Sequence, residues 1–257
     1  MFKLEIFDIK LETELIGRNF IYCDEINSTN SELLAGKQQY KKNGTVLLAE
    51  KQLSGKGRKD RTWQSAKGLN LTFSILLTKD MITGMNVNHL NLAASLAVSM
   101  AIENLYQLRT ELKWPNDVLI DKKKVAGILI ETSIKGSKLE RVVIGIGINL
   151  NQITFHGDFN FPPTSLKLEI GNDIDRENML AEILNIFEEL LFELEKKPDN
   201  ILNEWRSKCK MIGDKITITD NNNVKSGIFY DIDDKGYLLL KRNDSIEKIH
   251  FGDVSFV

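Results

Sequence analysis

"KWPNDVLIDKKKVAGILIETSIKGSKLERVVIGIGINLN", residues 113–151, decides the fold. Within it "VLI" and "VAGILIETSI" read as a hairpin, and "RVVIGIGINL" follows as a further strand. Pro115 ends the strand before them, and Asn116-Asp117 make a turn. Strands joined by hairpins and set among helices argue for a mixed α+β sheet.

Working outward, residues 20–26 and "TVLLAE" at 45–50 read as strands. "STNSELLAG" between them reads as a helix with Ser28 or Thr29 near its start and Gly36 past its end. "LNLTFSILL" at 69–77 alternates: Leu71, Phe73, Ile75 and Leu77 share one face, Asn70, Thr72 and Ser74 the other. Residues 88–107, 176–196 and 199–210 are expected to be helices, the second with Leu180, Ile183, Leu184, Phe187, Leu191 and Leu194 on one face. After Gly213 short strands are cut by "DNNN", "DDKG" and "RND", which is turn chemistry. A small C-terminal β-barrel is expected there, dividing the chain into residues 1–211 and 212–257.

Composition excludes several classes. The 257 residues carry a net charge of -2, with 42% hydrophobic and 27% charged residues, as in ordinary globular proteins. A general nucleic-acid binder carries a broader positive field. Cys23 and Cys209 are too few for a disulfide scaffold, and His89, His156 and His250 are scattered, so no metal cluster is indicated. The N-terminus is broken by charges and lacks a signal-peptide core, and no run could span a membrane. The cytoplasm is the expected compartment.

Four stretches carry chemistry. "GKGRKDRTW", residues 55–63, joins two strands; Gly55 and Gly57 let backbone N–H groups approach an anion, and Lys56, Arg58 and Arg61 supply charge. It matches neither the P-loop nor the dinucleotide glycine pattern, and a solvated basic turn accounts for it as well. Lys113 faces away from Leu112 and Trp114, which enter the core. In "GIGIN", Gly145, Gly147 and Asn149 share a face stripped of side chains; close approach of a ligand and tight packing of a helix both explain it. Gly127 leaves a similar gap on the face that Glu131 shares. "STN", residues 28–30, is by itself a helix cap.

Taken together and in this order, "STN", "GKGRKDRTW", "KWPND", "KVAGILIE" and "GIGIN" resemble the biotin protein ligase family, from about residue 20 to the end of the chain. The resemblance implies that the biotin carboxylate attacks the α-phosphate of ATP, giving biotinyl-5′-AMP and pyrophosphate. A lysine of a biotin carboxyl carrier domain, typically of acetyl-CoA carboxylase, then attacks the adenylate. It implies biotin contacts for Ser28, Thr29, Asn30, Gln52, Gly55, Lys56, Gly57, Arg58, Trp63, Lys113 and Gly127. It implies ATP contacts for Arg58, Arg61, Lys113, Gly147 and Asn149, with Lys113 and Arg58 as the catalytic cations. Mg²⁺ accompanies ATP on ligands the sequence does not name. The expected partners are biotin, ATP and the carrier domain, for a monomer or homodimer, with neither membrane nor nucleic acid. Only 27 residues precede Ser28, too few for the DNA-binding module of repressor members. Asp60 stands where the family loop has a glycine.

A ligase for lipoate or a related acyl cofactor is the nearest alternative, disfavoured by the loop and by "KWPND". A non-enzymatic nucleic-acid binder is the alternative from another class; it needs a broader basic surface and stacking aromatics.

Overall fold

Seven strands form one sheet: β1 (Phe20–Ile26), β2 (Val46–Gln52), β3 (Leu71–Thr78), β4 (Glu111–Lys113), β5 (Asp117–Ile120), β6 (Lys123–Lys135) and β7 (Lys138–Ile148). Their order is β1-β2-β3-β7-β6-β5-β4. The computed structural model describes every residue except Met1, Gln38, Gln39, Asp60, Ser137, Asp158, Asn160, Asn221, Asn222, Asp244 and Val257. β1 and β2 pair in parallel because helix α2 (Thr29–Leu34) carries the chain between them. The other described pairs are antiparallel, so the sheet is mixed, as the hairpins at 113–151 led one to expect.

The alternation in β3 sorts its side chains. Leu71, Phe73, Ile75 and Leu77 join Ile144, Ile146 and Ile148 of β7 in a core shared with α4 (Val87–Tyr106) and α6 (Arg176–Lys196). The opposite face presents Thr72 and Ser74 of β3 and Gly145 and Gly147 of β7. That face carries the site.

Three short helices were not anticipated: α1 (Leu4–Lys10), α3 (Lys79–Ile82) and α5 (Leu166–Ile170). Helices this short show no apolar period and owe their existence to tertiary contacts. The N-terminal segment is held by Phe2, Phe7 and Phe20, whose rings cluster, and by buried Glu50. Glu50 accepts bonds from Phe2 N (3.2 Å), Tyr22 Oη (2.7 Å) and both terminal nitrogens of Arg176 (2.7 and 2.8 Å), the first residue of α6. Burial raises the Glu50 carboxyl, but the bonds from Arg176 and Tyr22 prevail and bring it from 4.5 down to about 2. A depressed carboxylate stabilises the fold fully above its unfolded value, and that contribution is lost as pH falls from 4.5 toward 2. Glu50→Ala is expected to cost about 3–5 kcal/mol, because it leaves Arg176 buried without its partner. Thermal unfolding at pH 7 checks this, and a change in melting temperature of under a degree would remove the staple.

The last 43 residues, from Lys215, form a second sheet of β8 (Lys215–Asp220), β9 (Asn223–Ile232), β10 (Leu238–Arg242), β11 (Ser245–Ile249) and β12 (Asp253–Phe256). Its order is β11-β10-β9-β8-β12, all antiparallel. Among the described residues β11 and β12 remain its edges, so the expected barrel takes the form of an antiparallel sheet with no closing pair. It is tied to the rest of the chain at several points. Trp114 Nε1 donates to Gly236 O (3.1 Å), and Arg206, from helix α7 (Pro198–Lys208), bonds Asp231 (2.8 Å) and Ile232 O (2.8 Å). These ties bring β12 against the basic loop. No described helix is long and apolar enough to cross a membrane.

Candidate active site

A cavity of ≈ 360 Å³ opens on the polar face of the large sheet, between α2, the basic loop and β12. One register row crosses its floor: Thr72 of β3 pairs with Gly147, Gly147 with Gly127, Gly127 with Asp117, and Asp117 with Lys113. Two glycines therefore lie between a hydroxyl on one side and an ion pair on the other.

The sequence left open what approaches the bare face, ligand or helix. In the structure it is the protein's own side chains. A Cβ on Gly147 would lie 2.3 Å from the Trp63 indole, and one on Gly127 would lie 3.4 Å from it. A Cβ on Gly145 would lie 2.2 Å from Asn30 Oδ1. Each contact at Gly145 and Gly147 is closer than a side chain tolerates, so these glycines make room for Asn30 and Trp63.

The basic loop is a tight hairpin. Trp63 N donates to Gly55 O (2.9 Å) and Gly57 N to Arg61 O (2.6 Å), while Lys56 and Thr62 form an isolated bridge. A Cβ at Gly55 would strike Trp63 O at 2.4 Å, so the turn requires glycine there. The cations of the loop face carboxylates. Lys56 Nζ lies 3.2 Å from Glu131 Oε1. Arg61 lies 2.9 Å and Arg58 3.5 Å from Asp253 Oδ1 on β12, and Arg58 also donates to Gly252 O (3.2 Å) and Asn116 Oδ1 (3.3 Å). Lys59 donates to Thr219 O (2.9 Å). Asp60, the departure from the family loop, lies outside the described residues.

At the other end of the cavity Ser28 caps α2 as expected, accepting from Ser31 N. Gln52 Oε1 accepts from Thr29 N (2.7 Å) and Thr29 Oγ1 (3.1 Å). Asn30 spends both amide hydrogens within the protein, on Leu129 O (3.1 Å) and Glu131 Oε2 (3.0 Å), and its Oδ1 lies 2.6 Å from Ser74 Oγ. Asn30 thus fixes α2 to the sheet, while Ser28, Thr29 and Gln52 present neutral polar groups.

Asp117 is the electrostatic centre. Lys113 Nζ lies 3.2 Å from its Oδ2 and Lys124 Nζ 2.6 Å from its Oδ1. Burial would raise the Asp117 carboxyl, but the two ammonium groups hold it well below the usual carboxylate range. Burial pushes the Lys113 ammonium below its ordinary value, opposed by Asp117. The lysines differ in access: the Lys113 side chain is 5% exposed, with its Nζ 4.4 Å from the centre of the Phe161 ring, whereas that of Lys124 is 29% exposed and stands 5.7 Å above the Trp63 ring.

Of the residues named from the sequence, all but Gly55 line this cavity. Gly55 lines the adjoining groove with Leu53 and Phe251. Asn149 also lines the cavity and is buried, its Nδ2 donating to Thr164 O (3.0 Å). Lys124 and Asp117 were passed over. Lys124 stood inside the quoted "KVAGILIE", but one lysine of three in "KKK" carries no mark of its own. Asp253 was missed because 136 residues separate it from Asp117 and nothing local singles it out. Phe155, Phe159 and Phe161, which also line the cavity, were likewise unread.

Comparison with known proteins agrees with this arrangement. Residues 22–149 match the biotin/lipoate A/B protein ligase family, and residues 211–257 match the biotin protein ligase C-terminal domain. The bifunctional ligase/repressor BirA of Bacillus subtilis is 35% identical over 249 residues, covering 95% of this chain and 76% of that relative. The biotin–[acetyl-CoA-carboxylase] ligase of Paracoccus denitrificans is 31% identical over 237 residues, covering 90% of this chain and 97% of that relative. The structure of the Aquifex aeolicus biotin protein ligase in complex with biotin and ATP superposes with a TM-score of 0.80 at 32% identity, covering 93% of this chain and 98% of that one. With the motifs in register, both regions matched and the fold shared, this chain belongs to the biotin/lipoate A/B protein ligase family, as a biotin protein ligase.

Proposed function

We propose that the chain activates biotin as biotinyl-5′-AMP and transfers it to a lysine of a biotin carboxyl carrier domain. One observation carries this reading. The cavity has neutral polar groups at one end (Ser28, Thr29, Gln52), cations at the other (Lys113, Lys124, Arg58) and the Trp63 indole over the glycines between. A ligand with a polar, uncharged head, an apolar middle and a carboxylate fits that order of surfaces.

In this reading the ureido end of biotin meets Thr29 and Gln52. Its carboxylate lies near Lys124, with Asp117 holding both lysines in place. As the carboxylate oxygen attacks the α-phosphorus of ATP, Lys124 stabilises the charge that grows on the phosphoryl oxygens, Arg58 holds the phosphate of the adenylate that forms, and pyrophosphate leaves. The acceptor amine then attacks the acyl carbon, AMP leaves, and the amine gives up a proton. Trp63 and the basic loop keep water from the adenylate meanwhile. Mg²⁺ bound with ATP would neutralise part of the charge on the phosphates. Asp117 is committed to its lysines, and among the described residues no three His, Cys, Asp or Glu side chains converge to hold a metal.

We assign catalysis to residues 1–211 and treat residues 212–257 as a second unit that supplies Asp253 to the loop. The names of the relatives point to acetyl-CoA carboxylase, so its carrier domain, in the cytoplasm, is the acceptor we propose. Incubation with ATP and radiolabelled biotin tests the reading: pyrophosphate and biotinyl-AMP are expected, and label on a carrier domain when one is added. Adenylation of lipoate but not biotin would favour the other acyl cofactor.

Gly147→Val is expected to abolish detectable biotin binding at concentrations that saturate the wild type, since its side chain would occupy the floor and displace Trp63. Titration calorimetry on the folded variant checks this. Wild-type affinity would show that the ligand does not use this face.

A further inference from the structure

Thr72 Oγ1 and Trp63 Nε1 are buried polar atoms with no hydrogen-bond partner. Both residues line the cavity, and both neighbour Gly147: Thr72 pairs with it in register, and the Trp63 indole lies on it. Thr72 is 6% exposed. A buried hydroxyl without a partner destabilises a fold, and valine has the same shape without that cost. The neighbouring hydroxyl behaves differently. Ser74, two residues on and on the same face, lies 2.6 Å from both Thr29 Oγ1 and Asn30 Oδ1. Ser74 thus builds the pocket, whereas Thr72 holds a hydroxyl aimed at nothing in the protein.

We propose that the Thr72 hydroxyl is a recognition donor for the ring sulfur of bound biotin. This inference rests on the biotin reading above. Biotin has three polar parts: the ureido group, the carboxylate and the thioether. The first two have counterparts in Thr29 with Gln52 and in Lys124. Thr72 stands about 7 Å along β3 from Ser74, beyond the ureido end and across the glycine floor from the lysines. The polar part of the ligand left for it is the sulfur, a weak acceptor. Thr72 would then set the preference for biotin over its desulfurised analogue, desthiobiotin, which shares the other two groups.

The test measures binding of biotin and of desthiobiotin to wild type, Thr72→Val and Thr72→Ser, with the melting temperature of each ligand-free protein. Thr72→Val is expected to weaken biotin by about threefold to tenfold while moving desthiobiotin by less than about twofold. It is also expected to raise the melting temperature, because the lone hydroxyl is gone. Thr72→Ser should keep the wild-type ratio of the two affinities. Equal losses for both ligands would overturn the sulfur assignment, and so would no loss for either. Wild-type protein that bound neither ligand would overturn the biotin reading itself, and this inference with it.

Discussion

Lys124→Ala is expected to slow biotin-dependent pyrophosphate release by about a hundred- to a thousand-fold, the loss typical of removing one preorganised donor from a transition state. The lysine reaches into the cavity with its ammonium 2.6 Å from Asp117, and its side chain keeps enough exposure to meet a ligand carboxylate and a phosphoryl oxygen. Asp117 retains Lys113 in the variant, so the fold is expected to survive with nearly the wild-type melting temperature. Lys113→Ala makes the instructive comparison. The sequence pointed to Lys113 as the catalytic cation, yet its ammonium is buried between Asp117 and the Phe161 ring. Its removal is expected to lower activity and stability together. Pyrophosphate release within about threefold of wild type in Lys124→Ala would take this lysine out of the chemistry.

Arg58→Gly is expected to make biotinyl-AMP and lose it to solution. The guanidinium reaches Gly252 O, Asp253 and Asn116 from the loop, so it spans β12, the loop and the "KWPND" turn at once. Its planar fork suits two charge-assisted bonds to a phosphate. Arg61 with Asp253 and Lys56 with Glu131 still hold the loop in the variant, and Lys124 still faces the reacting oxygens. Synthesis should therefore persist while retention fails, and escaped adenylate would acylate lysines of bystander proteins. A mixture of the variant with ATP, biotin and serum albumin should carry biotin on the albumin. No adenylate at all would put Arg58 in the chemistry, and full retention would make it a bystander.

Much of the fold is legible in the sequence. The period-two alternation of β3 and β7 and the 3.6-residue period of α4 and α6 are properties of single segments, so they were read correctly. Hairpin spacing marked the antiparallel pairs, and five motifs in order pointed to the family. Glycines at 145 and 147 announced that something must lie close to the strand.

What lies there depended on elements far apart in the chain. Asn30 of α2 and Trp63 of the loop reach Gly145 and Gly147 only once β3 and β7 are neighbours. The sharing of Asp117 by Lys113 and Lys124 needs the turn between β5 and β6 to fold back, and the pairing of Arg58 and Arg61 with Asp253 needs the second sheet to dock. Sequence alone determined the main strands and the long helices and which residue types cluster in motifs, because local periodicity and turn chemistry act over a few residues. Tertiary structure alone decided which charges meet, which amide is already spent and which hydroxyl is left without a partner, because hydrogen bonds and ion pairs form only across distances of a few ångströms that the fold sets.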